Sequence, residues 1–350
     1  MIYLLKLLIT RVSKKTVLRS YKSIRRKPLN FQRLDSNLFT NEFIKKISSS
    51  YIVRVKKIFL YNTMLLSKNG KHVLSKHTHM NSGNIKSKIK KYLNSPQINN
   101  LNNFEEIDSA FWVIDEKSNR YFHWLTDTLM RFFLVVKSKE SGPILIHEDL
   151  LSYPYIKESL DILKIDHVIY DKNTLLRVNN LNIVSHVSES GNYNKEIINA
   201  VRKGFTKNVN SSKPSERIWI SRSNSDYRKI KNLEEIMPLL KKYNFEIIKP
   251  EENSLEKNIE VFNSCKVVGG LHGAGLTNML FMQKNTSVIE VRRHGDVNNN
   301  CYYSLASDLD INYFYVKAES ETSDFFNSDC DLNIDELSEL FVNYFEELFG

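Results

Sequence analysis

Short apolar runs alternate with segments of helical period between residues 111 and 316. PILIHE at 143–148 and SVIEV at 287–291 are typical of buried strands, whereas 233–243 places its apolar side chains at helical spacing. Strands that take turns with helices are joined by crossovers, so successive strands run parallel. A polar stretch at 206–216 separates two such series. The sequence therefore predicts an α/β protein with two Rossmann-like domains and mostly parallel sheets.

The two ends of the chain carry opposite charge. The first 30 residues contain nine Lys and Arg and no acid, whereas the last 30 contain nine Asp and Glu and no base. Runs of one charge are typical of segments outside a folded core. The predicted organisation is a basic amphipathic arm at 1–30, Rossmann-like domains at 31–210 and 211–320, and an acidic tail with a terminal helix at 321–350.

The arm joins an apolar decapeptide, Met1–Thr10, to a basic run that ends at Lys27. A secretory signal has its charges before the apolar core, and here they follow it. This order fits an interfacial anchor at residues 1–27 on an anionic membrane surface. An arm packed on the body is the alternative. Nucleic acid is not an expected partner, because no recognition motif or interleaved aromatic residues accompany the charge.

The segment at 267–282 reads VVGGLHGAGLTNMLFM and predicts a strand, a glycine-rich turn and a helix. Glycines allow positive φ and close approach of the backbone, and the N–H groups at a helix start bind anions. The spacing matches neither the dinucleotide fingerprint nor the P-loop. With His272 at its mouth, the turn predicts a phosphate site, and a purely structural turn is the alternative.

Three charged residues fall near the ends of predicted strands in the same half of the chain. Arg222 ends RIWISR and Arg228 lies in the loop that follows, and the planar guanidinium of arginine suits phosphate oxygens. Glu290 lies near the end of SVIEV, where a carboxylate can accept hydrogen bonds from ribose hydroxyls. Each could instead be an ordinary surface residue. Together with the glycine-rich turn they predict a pocket for a nucleoside diphosphate.

A second constellation lies in the first half of the chain, in YFHWLTDTLMRF at 121–132. His123 and Asp127 are four residues apart and share one face of a helix. A carboxylate beside an imidazole can take a proton from a hydroxyl as a general base. The alternative is a core helix with Asp127 on an exposed edge.

These motifs together resemble glycosyltransferase family 61, which includes bacterial polysaccharide-assembly enzymes and eukaryotic xylosyl- and N-acetylglucosaminyltransferases. The resemblance rests on HW-x-x-D at 123–127, on ISR with the later Arg228, and on GGLHGAGLTNMLFM followed by VIEV. It covers about residues 111–316, and the HGAGLTN block is its most specific part.

The resemblance implies a GT-B fold, in which two Rossmann-like domains face each other, with the acceptor on 31–210 and the donor nucleotide on 211–320. It implies inverting transfer from a nucleotide sugar, UDP-linked, to a hydroxyl of a growing surface glycan such as a capsule, without metal or another cofactor. Asp127 becomes the candidate base, with His123 as its rival. The residues implied for donor binding are Arg222, Arg228, His272, Gly273, Ala274, Gly275 and Glu290.

Two rival functions remain open at this point. A metal-dependent GT-A enzyme would need an Asp-x-Asp motif, and Asp308-Leu309-Asp310 and Asp329-Cys330-Asp331 are available, although both read as solvated turns. A non-catalytic, membrane-associated scaffold or sugar-nucleotide-binding subunit of polysaccharide assembly would bind donor without transfer. The three cysteines show no metal or pairing pattern, which favours a reducing compartment. The expected location is cytoplasmic, peripheral at the inner face of the cell membrane.

Overall fold

The computed structural model describes residues 13–61, 64–66, 94, 104–210, 214, 216–223, 228–293, 295–320 and 328–349. The predicted anchor up to residue 12 lies outside these ranges. In the described part, no helix is long and apolar enough to cross a membrane.

The predicted alternation of strands and helices is confirmed. The strands are β1 Ser13–Leu18, β2 Tyr21–Ile24, β3 Ile44–Ile47, β4 Ser50–Tyr61, β5 Met64–Leu66, β6 Glu105–Trp112, β7 Ile144–His147, β8 His167–Tyr170, β9 Leu176–Val184, β10 Glu216–Ile220, β11 Glu246–Ile248, β12 Cys265–Leu271, β13 Ser287–Arg293, β14 Asn312–Ser320 and β15 Cys330–Leu332. The helices are α1 at 121–138, α2 Pro154–Leu163, α3 Lys195–Thr206, α4 Leu233–Lys242, α5 Leu255–Asn263, α6 Cys301–Asp308 and α7 Ile334–Phe349, and 3-10 helices lie at Arg33–Phe39, Glu148–Ser152, Pro250–Glu252 and Ala274–Phe281.

The chain forms two compact units. Unit 1 comprises Met1–Tyr21 and Ser48–Ser190, and unit 2 comprises Lys22–Ile47 and Gly191–Gly350. The predicted mixed α/β class with mostly parallel sheets is therefore confirmed. The facing arrangement of a GT-B fold stays a prediction.

The sheet of unit 1 has the order β1-β4-β9-β6-β7-β8, with β5 paired to β4. Strands β9, β6, β7 and β8 are parallel, and β1, β4 and β5 are antiparallel to their neighbours. Strands β6 and β9 are buried on both faces at their carboxyl ends, as strands covered by helices must be. The deepest side chains of this core include Trp112, Trp124, Leu134, Leu145 and Leu181.

The sheet of unit 2 has the order β11-β10-β12-β13-β14-β15 and is parallel except for β15 at its edge. Its core is built from the strand side chains and the apolar stripes of α4 and α7. Phe341 of α7 stacks on Phe245 at a centroid distance of 5.3 Å, and Phe345 packs against Phe314 at the same distance. This packing holds the carboxyl edge of the parallel strands in place.

The prediction placed the boundary at 210/211, whereas α3 belongs to unit 2. The ring of Phe205 packs edge-on against Phe281 at 5.3 Å. Arg202 donates to the backbone oxygen of Leu309 at 2.8 Å. The apolar face of α3 is thus buried in the second unit, which moves the boundary to residues 190/191.

Both terminal segments belong in part to the two folded units. The basic segment is part of the fold from residue 13 onward, where β1 pairs with β4 and Lys15 donates to Glu140 at 3.0 Å. In the acidic segment, residues 328–349 are part of the fold. Strand β15 extends the sheet of unit 2, and α7 completes its core.

Candidate functional site

Each sheet has one place where the strand order reverses, which is the usual ligand position in an open α/β sheet. In unit 1 this place lies between β6 and β9, because β7 and β8 continue on the far side of β6. In unit 2 it lies between β10 and β12, with β11 beyond one and β13 beyond the other. Arg222 directly follows β10 and His272 directly follows β12. The structure therefore brings these predicted donor residues to the reversal point of unit 2.

The guanidinium of Arg222 lies against the backbone of Gly273. A Cβ atom on Gly273 would stand 2.4 Å from Nη1 of Arg222, so a larger residue would have to displace this group. Arg222 Nε donates to the backbone oxygen of Arg228 at 3.0 Å. Arg228 itself has a φ of 60°, in the left-handed region that long side chains rarely adopt. The two predicted arginines thus meet beside the glycine-rich turn.

The other glycines of the turn serve close packing and do not adopt a left-handed backbone, which corrects that part of the prediction. A Cβ on Gly269 would meet the ring of Trp219 at 2.4 Å. Added Cβ atoms on Gly270 and Gly275 would press on Ile220 at 3.1 Å and 3.0 Å. The missing side chains allow β12 and the following turn to pack tightly against β10.

His272 is held by a carboxylate that lies deep in the sheet. Its Nδ1 is hydrogen-bonded to Oε1 of Glu290, which is 0% exposed. The phenol of Tyr313, on β14, donates to Oε2 of the same carboxylate at 2.5 Å. Burial and the neighbouring charge of Glu290 raise the pKa of Tyr313 well above its ordinary value, so the phenol stays a donor.

These hydrogen bonds indicate different roles for Glu290 and His272. Both oxygens of Glu290 have protein partners, which favours a role in orienting His272. The predicted contact of Glu290 with a ribose stays a prediction. His272 is partly exposed, with its ring edge-on to Tyr302 at 4.9 Å. Its Nε2 is the ring nitrogen that the pair with Glu290 does not use.

Positive charge is concentrated around the turn. Burial lowers the pKa of Arg222, and the neighbouring guanidinium groups of Arg228 and Arg293 lower it further. Burial lowers the pKa of Arg293 as well, with a contribution from Arg228. A bound anion would offset the repulsion among these three guanidinium groups. Arg293 was missed in the sequence, although it stands three residues after Glu290.

In unit 1, His123 and Asp127 form the predicted pair. His123 Nδ1 lies 2.7 Å from Oδ2 of Asp127. Ser190 donates to the same oxygen at 2.8 Å and lies 3.3 Å from the histidine nitrogen. Asp127 is buried and His123 is partly exposed, which contradicts the alternative of an Asp127 on an open edge. Ser190 was missed, because it is 63 residues away in sequence.

A π-helical segment, Trp124–Thr128, lies inside α1 and contains Asp127. In it the N–H of Leu129 bonds to the oxygen of Trp124, one residue further than in an α-helix. Such bulges are rare and are often found at functional sites. The sequence gives no sign of the bulge, because its residues also suit an ordinary helix.

A buried ion pair occupies the reversal point of unit 1. Arg131 donates to Oδ2 of Asp115 at 2.6 Å, and Nε2 of His186 lies 3.1 Å from the same oxygen. Burial raises the pKa of Asp115, but Arg131 and His186 outweigh that effect and hold it well below its ordinary value. Asp115 follows β6 and His186 follows β9, so the contact between these two side chains joins the two loops at the reversal point.

The Asp-x-Asp motifs are engaged with lysines. Asp310 accepts from Nζ of Lys284 at 3.0 Å. Asp331, on the edge strand β15, forms an ion pair with Lys231 at 3.0 Å. The expected solvated turns are found only in part, because Asp308 is 2% exposed at the end of α6 and Asp331 lies on the edge strand β15.

The model of the family described as Glycosyltransferase 61 matches residues 121–289. The matched part includes the His123–Asp127 pair of unit 1 and the glycine-rich turn of unit 2, and it ends one residue before Glu290.

Two curated relatives are similar over shorter stretches. The chain is 31% identical over 110 residues to an EGF domain-specific O-linked N-acetylglucosamine transferase from Bos taurus, which is 30% of this chain and 20% of the relative. It is 30% identical over 106 residues to the beta-1,2-xylosyltransferase XAX1 from Oryza sativa subsp. japonica, which is 29% of this chain and 19% of the relative. The chain thus spans about a fifth of the length of these relatives. Nearly half of this chain is similar to glycosyltransferase family 61, and the relatives are named as glycosyltransferases.

Proposed function

We propose that this protein is an inverting glycosyltransferase that moves a sugar from a UDP-linked donor to a hydroxyl of a growing surface glycan, such as a capsule. The observation that carries the proposal is the cluster of Arg222, Arg228, Arg293 and His272 at the reversal point of a parallel sheet. Together with the family match, this cluster supports a site for a nucleoside diphosphate. The proposal also includes a GT-B arrangement, with the donor on unit 2 and the acceptor on unit 1.

In the proposed reaction, unit 2 stabilises the leaving group. Negative charge develops on the diphosphate as the bond from the sugar C1 breaks, and fixed donors placed there lower the barrier. The guanidinium groups of Arg222 and Arg228 and the Nε2 of His272 are the proposed donors. With this much positive charge at hand, the proposed enzyme does not require a metal.

In the same reaction, unit 1 supplies the base. Asp127 accepts a hydrogen bond from Nδ1 of His123, which leaves Nε2 to take the proton of the acceptor hydroxyl. The hydroxyl oxygen attacks C1 on the side opposite to the diphosphate, forms the new glycosidic bond and inverts the anomeric configuration. We therefore propose His123 as the base, in place of Asp127 as first expected, with Asp127 as the residue that orients it.

The proposed location is cytoplasmic, at the inner face of the cell membrane, through the basic and apolar N-terminal residues. Deletion of residues 1–12 tests this proposal without removing β1, which is part of the sheet of unit 1. We expect the truncated protein to bind less to membranes from cell lysates. Unchanged sedimentation with those membranes would contradict the proposed anchor.

A thermal-shift titration with UDP, GDP and CMP, each with and without EDTA, tests the donor site. A ligand at about a hundred times Kd adds roughly 2.7 kcal/mol to the stability of the protein. We expect a shift with UDP that survives EDTA and is lost in Arg222→Ala but kept in the control Lys241→Ala. A shift that needs a divalent cation would contradict metal independence. UDP binding without transfer to any glycan would favour the scaffold alternative.

A further inference from the structure

The outer face of the two-stranded sheet β2-β3 in unit 2 combines exposed aliphatic and basic side chains. Ile24 is 82% exposed and Ile44 is 62% exposed, whereas Ser23 and Ile47 are buried. Because side chains alternate along a strand, the outer face also carries Lys22 and Lys46, both exposed. Each of the two strands therefore presents one isoleucine and one lysine outward.

The connection between these strands adds two more exposed leucines. Leu34, in the 3-10 helix Arg33–Phe39, is 91% exposed, and Leu29 is 50% exposed. Exposed aliphatic side chains that gather in one segment are unlike the scattered ones of an ordinary surface. We call Lys22, Ile24, Leu29, Leu34, Ile44 and Lys46 the strand-pair surface.

The segment that carries this surface is firmly attached to unit 2. The backbone N–H of Leu29 donates to the oxygen of Tyr313 at 2.9 Å, and Asn30 donates to the oxygen of Tyr315 at 2.7 Å. Phe39 is fully buried, with its ring 5.3 Å from that of Tyr315. The exposed aliphatic residues are therefore presented by a fixed platform.

The exposed charges of the segment are all positive. Its two carboxylates face inward: Asp35 bonds to Tyr315 at 2.6 Å, and Glu42 bonds to the buried Arg25 at 2.6 Å. Neither carboxylate of residues 22–46 is therefore exposed. The exposed cations of residues 22–46 are Lys22, Arg26, Lys27, Arg33 and Lys46.

We infer that the strand-pair surface binds an anionic lipid surface. Each cation near such a surface contributes about 1 kcal/mol, and the aliphatic side chains can enter the boundary between headgroups and acyl chains. Single-stranded nucleic acid would instead call for exposed aromatic side chains on which bases stack, and the most exposed side chains of this surface are aliphatic. The inference rests on the proposed membrane association. Lys22 and Ile24 lie within the predicted anchor at 1–27, whereas Leu29, Leu34, Ile44 and Lys46 extend the membrane-binding surface beyond it, and the inference does not depend on glycosyl transfer.

Sedimentation with vesicles tests the inference. The full chain is mixed with vesicles of phosphatidylcholine alone or with about 30% phosphatidylglycerol, a fraction that gives a clearly anionic surface. Ile24→Ser with Ile44→Ser should weaken binding to the anionic vesicles about tenfold, and Lys22→Gln with Lys46→Gln by a similar factor. The control is Ile169→Ser with Val342→Ser, which removes two exposed aliphatic side chains elsewhere and should leave binding unchanged.

Further measurements distinguish this surface from the anchor and from the donor site. The variant Ile24→Ser with Ile44→Ser should also weaken vesicle binding in the protein lacking residues 1–12, and it should leave the UDP thermal shift intact. Full binding of both pair variants, with binding lost only on deletion of residues 1–12, would overturn the inference. Tight binding to a single-stranded oligonucleotide, without binding to anionic vesicles, would also overturn the inference.

Discussion

The two units each contain a histidine paired with a carboxylate, and the two pairs are built differently. His123 and Asp127 lie four residues apart on α1, and their carboxylate is shared with Ser190 near the surface. His272 and Glu290 are 18 residues apart, one directly after β12 and the other in the middle of the neighbouring strand β13, and their carboxylate is fully buried. The first pair suits a base that exchanges protons with a substrate. The second suits a fixed donor beside a cluster of arginines.

The largest expected effect is on the pair of unit 1. His123→Ala should lower kcat by about a thousandfold, because it removes the proposed general base. UDP binding should stay unchanged, since the donor site is in unit 2. Transfer rates under saturating donor and a UDP thermal shift measure the two effects, and added imidazole should restore part of the rate. A larger loss in Asp127→Asn than in His123→Ala would instead make Asp127 the base.

Substitutions that disturb the His272–Glu290 pair of unit 2 should weaken donor binding. Glu290→Gln should lower kcat/KM by about thirtyfold, because His272 loses its charged partner and the hydrogen bond that orients it. Tyr313→Phe should have a smaller effect of about fivefold, since one neutral donor is worth about 1 kcal/mol. The matched control is Tyr315→Phe, which removes a buried phenol bonded to Asp35 in the same sheet. Equal losses in the two phenylalanine variants would argue that Tyr313 acts on the fold alone.

Substitutions of two glycines in the same segment should separate effects on UDP binding from effects on the stability of the protein. Gly273→Ala should displace the flexible end of Arg222 and weaken UDP binding about tenfold, with little change in the free energy of unfolding. Gly269→Ala would collide with the rigid ring of the buried Trp219 and should cost about 2 kcal/mol of stability. Chemical denaturation and UDP titration of both variants check this contrast. If Gly273→Ala binds UDP normally, Arg222 is not a diphosphate ligand.

The smallest expected effect is at Ser190. Ser190→Ala removes one hydrogen bond to Asp127 and should lower kcat about threefold, with an altered pH dependence of the rate. Ser152→Ala, at another exposed serine of unit 1, is the control and should match the original protein. An unchanged rate and pH profile in Ser190→Ala would indicate that Ser190 does not contribute to catalysis by His123 and Asp127.

The sequence predicted those features that depend on neighbouring residues. The strands and helices between residues 111 and 316 follow from apolar period, and the pair on α1 follows from a spacing of four. The contact of Arg222 with Gly273 was foreseen only as nearness at the carboxyl ends of strands. Its cause is the strand order, which places β10 beside β12.

The remaining features depend on partners that are distant in sequence. Tyr313, Arg293 and Ser190 reach the two sites through the register of strands or the course of a loop, and no local pattern marks them. Pairing with distant strands likewise places the basic residues of β1 in a sheet. Charge alone predicted an arm there, because a run of lysines gives no sign of the strand that will pair with it.

The attachment of residues 22–47 to unit 2 has a consequence for the order in which the chain can fold. The hydrogen bond from Tyr315 to Asp35 spans 280 residues, and the ring of Phe39 packs against Tyr303 on α6 and Tyr315 on β14. During synthesis, unit 1 can close once residue 190 is available. The segment 22–47 must wait for most of the remaining chain, with Leu38 and Phe39 still uncovered. This interval is when a nascent or truncated chain is most prone to aggregate, and when binding of a chaperone would help most.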